Sequence, residues 1–146
     1  MNRVSKFLAA VFLSAAMFIA GAAQAMEIRQ FDKMAQDDRA DYVSALIQGA
    51  EKVLTDAGKA DQAAQVSHLF TTNDPGDQIS IGMTEFERNL ALLRLEDAKN
   101  AQKNPKDPRV EVEDVMAATL KKNHIDLPDA FFTVASNFKP KLAPAK

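Results

Sequence analysis

The chain has 146 residues, 18 basic against 20 acidic, and no cysteine. That length suits one domain with one core, and the mildly acidic balance argues against nucleic acid or an anionic membrane surface as partner. The missing thiol excludes a disulfide framework, thiol catalysis, cysteine-ligated metal and a lipid anchor carried on cysteine.

Taken in chain order, the first segment is a leader. Arg3 and Lys6 supply its positive start, and Phe7 to Ala20 form an apolar run broken only by Ser14. Ala23-Gln24-Ala25 is the small-x-small pattern that signal peptidase reads, which predicts cleavage after Ala25 and Met26 as the new N-terminus. The run falls short of the about 20 apolar residues of a comfortable membrane span, so an uncleaved anchor is the weaker alternative. Loss of Arg3 and Lys6 would take 18 basic residues to 16 against 20 acidic ones, a formal charge of −4. With no disulfide to lean on, the expected compartment is a bacterial periplasm rather than the space further outside.

The remaining chain reads as an all-α, single-domain bundle of about five helices spanning 26–138. Phe31 and Met34 predict a short turn that covers the end of the first long helix, over about Asp38 to Ala57. In that helix Tyr42, Ala45, Leu46, Gly49, Ala50, Val53, Leu54 and Ala57 form one stripe on a 3.6-residue period. Asp37, Asp38 and Asp41 crowd its start and Gly58 stands where a left-handed cap is needed. A second helix covers about Lys59 to Thr71, with Ala63, Val66, Leu69 and Phe70 on its apolar side. Asn73-Asp74-Pro75-Gly76 is a turn.

The third helix runs to about Lys103 from either Asp77 or Thr84, the latter because Thr84-Glu85-Phe86-Glu87 matches a capping box. Leu90, Ala91, Leu92, Leu93 and Leu95 make its middle apolar nearly all round, the pattern of a central helix. Asn104 to Pro108 stops it, because proline lacks the N–H that a helix interior needs. Val112, Val115, Met116, Thr119 and Leu120 line the fourth helix. Asp126-Leu127-Pro128 opens a fifth, lined by Leu127, Phe131, Val134, Ala135 and Phe138. The Lys- and Pro-rich tail 139–146 has too little apolar content to pack and is expected to be disordered.

No stretch carries a recognisable chemistry. The loop Thr72 to Ser80 compares poorly with a calcium-binding loop, since Asp77 and Met83 fall where glycine and a bidentate glutamate are needed. His68 and His124 lie 56 positions apart with no second ligand at helical spacing, so no metal is expected. The acid groups Asp37/Asp38/Asp41, Glu85/Glu87 and Glu111/Glu113/Asp114 all fall in first helical turns, where the helix dipole already favours them. Serines 44, 67, 80 and 136 lack a nucleophile-elbow context, and there is no glycine-rich phosphate loop. The reading is of a protein without catalysis and without a cofactor.

Phe131 and Phe132 point about 100° apart on a helix, so if one joins the core the other reaches its edge. Together with Tyr42 they form the expected partner-binding edge, at residues Tyr42, Phe131 and Phe132. The order Phe31, Met34, Tyr42 and Gly49 over residues 28–54 resembles two bacterial families of small exported helical proteins. These are the HdeA-type periplasmic acid-stress chaperones and the Tai-type immunity proteins that neutralise type VI effectors. Their helices are tied by a disulfide, and this chain departs from them in having no cysteine. The resemblance implies either capture of unfolded clients in acid or tight binding of one protein partner.

In acid below about pH 3 the carboxylates are mostly protonated, and the 16 basic residues with two histidines then carry about +18, which can open a bundle by self-repulsion. The expected function is an exported periplasmic helical protein that binds a protein partner, immunity or inhibitor fashion. An envelope-stress chaperone and a carrier of small apolar ligands, with a cavity beside Leu90 to Leu95, are the alternatives. No membrane contact is expected after leader removal, and a homo-oligomer is left open.

Overall fold

The computed structural model describes residues 25–72, 76–106 and 109–134. Among them are six helices and no strand beyond one isolated bridge. They are α1 (Ile28–Asp32), α2 (Gln36–Asp56), α3 (Ala60–Leu69), α4 (Ile81–Lys103), α5 (Val112–Lys122) and α6 (Phe131–Val134). Residues 1–24 of the leader, the turn at 73–75, the break residue Pro108, Ala135 and Phe138 of the fifth stripe and the tail 139–146 lie outside the described residues.

The central helix is α2. Tyr42, Val43, Ala45, Leu46, Gly49, Ala50, Val53 and Leu54 are all buried, so the stripe read from its spacing is the stripe that packs. Its end is a full Schellman motif. Gly58 takes φ +78 and its N–H donates to the Thr55 carbonyl, while the Lys59 N–H donates to the Leu54 carbonyl. Glycine meets no Cβ penalty in that conformation, and the chain turns straight into α3, which packs back on α2.

The same motif closes α5, with His124 at φ 62 in the glycine position. The His124 and Ile125 N–H groups donate to the Lys121 and Leu120 carbonyls. Ile125 is fully buried just after the turn, the apolar contact that commonly accompanies the motif. Helices α4 and α5 form the second packed pair, and α1 and α3 both touch α4.

The start of α4 is neither Asp77 nor Thr84. The helix begins at Ile81, and the buried Ser80 hydroxyl caps it by accepting from the Met83 N–H at 3.1 Å. Thr84 instead donates its hydroxyl to the Ser80 carbonyl at 3.0 Å, so the capping box does not form. The extra turn is held by Gly82, whose missing side chain lets α4 lie against the Leu69 carbonyl and the Phe70 ring.

The expectation that α4 is central is also corrected. Leu90 is buried and Leu93 half-buried, but Leu92 and Leu95 are exposed. Helices α1, α3 and α5 pack against one side of this 23-residue helix and leave the other to solvent.

The N-terminal segment is clamped to the front of α5. Glu27 and Glu111 form an antiparallel bridge, Ile28 N–H donates to the Val110 carbonyl, and Val112 N–H donates to the Met26 carbonyl at 2.8 Å. Residues far apart in sequence thereby bring the first described residues into the core region.

Candidate functional site

The expected binding edge comprises Tyr42, Phe131 and Phe132, which differ in burial. Tyr42 and Phe131 are buried, and only Phe132 is half-exposed. Tyr42 stacks edge-on against Phe31, with ring centroids 6.1 Å apart, and Phe131 meets Phe132 in the same manner at 5.2 Å. The geometry Phe131 inside and Phe132 at its rim follows the angular offset of adjacent helical residues. Tyr42, however, stands on the apolar stripe of the most buried helix, and its ring is core.

Its hydroxyl reaches a second buried group that the sequence reading missed. Glu113, on the first turn of α5, has no exposed surface and accepts a 2.6 Å hydrogen bond from Tyr42 at Oε2. Its Oε1 accepts from the Met26 N–H at 3.1 Å. Burial, helped by the Glu113 charge and hydrogen bond, pushes the Tyr42 phenol well above its ordinary range. The signal was present in the spacing: positions 113, 116 and 120 share the helical side that carries Met116 and Leu120.

Asp97 repeats the lesson on α4. It is buried, its carboxylate is held by the Arg109 guanidinium through Nε and Nη2, and it also accepts from the Val110 N–H at 2.9 Å. The charge-assisted bonds from Arg109 hold Asp97 below the usual carboxylate range. A lowered carboxylate adds stability above its unfolded value near 3.9, and that contribution fades as pH falls through its folded value.

Burial raises Glu51 and Asp114, whose shifts work in the opposite sense. In urea titrations Asp97→Asn should therefore lower the unfolding midpoint at neutral pH, with the difference from wild type shrinking at about pH 3 and below. An equal difference at both pH values would refute this assignment.

A third polar contact joins α4 to α5. Asn89, buried, donates from Nδ2 to the Thr119 hydroxyl at 3.0 Å and accepts from Lys122 Nζ at 2.9 Å. These three groups satisfy one another, and they read as internal ties of the bundle. Among the described residues no group of three or more histidines and acids could hold a metal.

Two surface features remain. One is an open cleft of about 450 Å3 between α1, the first turns of α2, and α4. Phe31, Val43, Phe86 and Leu90 line it, and Arg39 and Arg94 stand among its polar groups. Arg94 forks onto Asp32 with two bonds of 2.8 and 2.7 Å, a largely exposed pair that contributes little stability but joins α1 to α4 beside the cleft.

The other feature is the outer side of α4. Ile81 is 68% exposed, Leu92 56% and Leu95 55%, with Ile79 exposed just before the helix. Eleven residues make about three turns, so Ile81 and Leu92 share a side, and Leu95 lies one turn further along it. Arg88 and Lys99 are exposed on the same side, between and beyond the apolar groups.

No family model, curated protein or solved structure matches this chain. The reading of its surface therefore rests on geometry alone. Among the described residues no helix is long and apolar enough to cross a membrane.

Proposed function

We propose that this chain is an exported helical protein that binds a protein partner through the outer side of α4, in the manner of an immunity protein or inhibitor. It carries no chemistry of its own. The supporting observation is the row Ile81, Leu92 and Leu95, three large apolar side chains each more than half exposed on one helix. Scattered apolar residues are ordinary on a surface, but a row at helical spacing is the form in which a helix meets a partner. Arg88 and Lys99 on the row and Glu96 at its border give it a charged rim of mixed sign.

The test is a pair of charges. Leu92→Glu with Leu95→Glu should leave the unfolding midpoint nearly unchanged, since exposed substitutions cost within about 0.5 kcal/mol each. The same variant should lose a partner that the wild-type protein cross-links in the envelope of its own host, at a position beside Leu92. A partner held equally by both proteins would refute the assignment. A cross-linked product of twice the chain mass would replace it with self-association.

The cleft favours a second reading, a carrier for a small ligand with an apolar body and an anionic end near Arg39. It would announce itself as an extra mass of a few hundred daltons in native mass spectrometry, within what a pocket of this size holds.

A further inference from the structure

The predicted leader junction and the buried carboxylate of Glu113 meet at one atom. Cleavage after Ala25 would make the Met26 nitrogen the first atom of the chain, and that nitrogen lies 3.1 Å from Glu113 Oε1. Neither observation depends on the other. One is a pattern of small residues in the sequence, and the other is a hydrogen bond between segments 87 positions apart.

We propose that leader removal creates a partly buried ion pair between the freed α-ammonium of Met26 and the carboxylate of Glu113, so that processing itself tightens the fold. The inference rests on the reading of residues 1–25 as a cleaved leader.

The chemistry is a hydrolysis by the peptidase that removes leaders. Water's oxygen joins the Ala25 carbonyl carbon, the C–N bond to Met26 breaks, and both water protons end on the Met26 nitrogen. Ala25 departs with a carboxylate. A neutral amide with one proton becomes an ammonium with three, in the same place. It stays there because the Met26 carbonyl is held by the Val112 N–H and the next residues by the Glu27–Glu111 bridge. Glu113 is already aligned, with its other oxygen on the Tyr42 hydroxyl.

The surroundings favour a cation. From α2 the site is faced by Tyr42, and from the front of α5 by Glu111 and Glu113, with Asp114 behind Glu113 and Arg109 toward Glu27. On its own segment Glu27 is paired with Arg29 at 2.9 Å. Arg29 and Arg109 are both engaged with acids, which leaves Glu113 facing the Met26 nitrogen. A charge taken partly out of water is costly alone, but here it arrives beside a carboxylate that is already buried and already oriented.

The experiment uses the processed protein from the envelope of its host. Its first residue is read by intact mass, and its α-amino group is then labelled with an amine-reactive reagent across pH. An ordinary α-amine titrates near 7.7–8.0, and each unit of upward shift cuts the reactive fraction about tenfold near neutral pH. The expected result is Met26 as first residue, labelled at least about tenfold more slowly at neutral pH than the free peptide of residues 26–32. Tyr42→Phe, which leaves the carboxylate in place, should keep that protection, and Glu113→Gln should abolish it.

A different first residue would overturn both the leader reading and the pair. Met26 as first residue, labelled as fast as the peptide, would overturn the pair alone. Should the Glu113 variant fail to fold, the wild-type rate against the peptide still decides.

Discussion

Replacing Glu113 by alanine should cost the fold about 3–5 kcal/mol, a large share of the 5–15 kcal/mol that holds a typical domain. Two donors lose their acceptor at once, the Tyr42 hydroxyl and the Met26 N–H, and each unsatisfied buried group costs about 1–3 kcal/mol. The side chain has no exposed surface, so water does not replace it without entering the core. Tyr42→Phe removes one of the two bonds and should cost less, about 1–3 kcal/mol.

The two substitutions share a contact, so their effects should not add. Urea unfolding of both single variants and the double variant measures this directly. A loss below about 1 kcal/mol for Glu113→Ala would show that the carboxylate is a bystander.

Gly82→Ala is the second large effect. Alanine is the better helix former by about 1 kcal/mol, and on an open helix the change would stabilise. Here the added Cβ would stand 2.7 Å from the Leu69 carbonyl oxygen and 3.0 Å from its carbon, both backbone atoms, and 3.0 Å from the Phe70 ring. Backbone cannot swing aside as a side-chain tip can. The end of α3 and the start of α4 would have to separate, at an overpacking cost of about 1–3 kcal/mol.

Gly76→Ala is the control, because among the described residues nothing lies within 4 Å of its added Cβ, and it should shift stability by no more than about 0.5 kcal/mol. If thermal unfolding shows the two alanine variants equal, the close approach of α3 and α4 is wrong.

Both predictions concern residues whose importance the linear pattern concealed. Glu113 stands in an acidic first turn and on a buried side of α5, and the helix-dipole explanation for an acid there was sufficient by itself. Asp97 likewise shares spacing with Leu90 and Leu93, but an acid in the back half of a long helix looked like solvent-facing charge. In both cases the partner comes from a segment at a sequence distance, Met26 and Tyr42 for the first and Arg109 for the second. Spacing tells which side of a helix a residue occupies, but it does not reveal what waits on that side.

The start of α4 shows the same limit from the other direction. Thr84 with Glu87 and Ser80 alone are both chemically sound caps, and local rules rank the first higher. Contact between Gly82 and the end of α3 favours the longer helix, and that contact is tertiary.

The chain's own residues determined what depends on the nearest few neighbours. The helical class, the stripe of α2, the left-handed stop at Gly58 and the break after Lys103 all follow from local backbone preference and 3.6-residue spacing. Only the tertiary structure decided that Tyr42 and Phe131 lie inside, that Glu113 is buried beneath the Met26 nitrogen, and that one side of α4 is left uncovered. Those outcomes depend on how many neighbours the bundle can place around each helix. A pattern of apolar residues states what a helix would bury, whereas the supply of covering surface belongs to the whole fold.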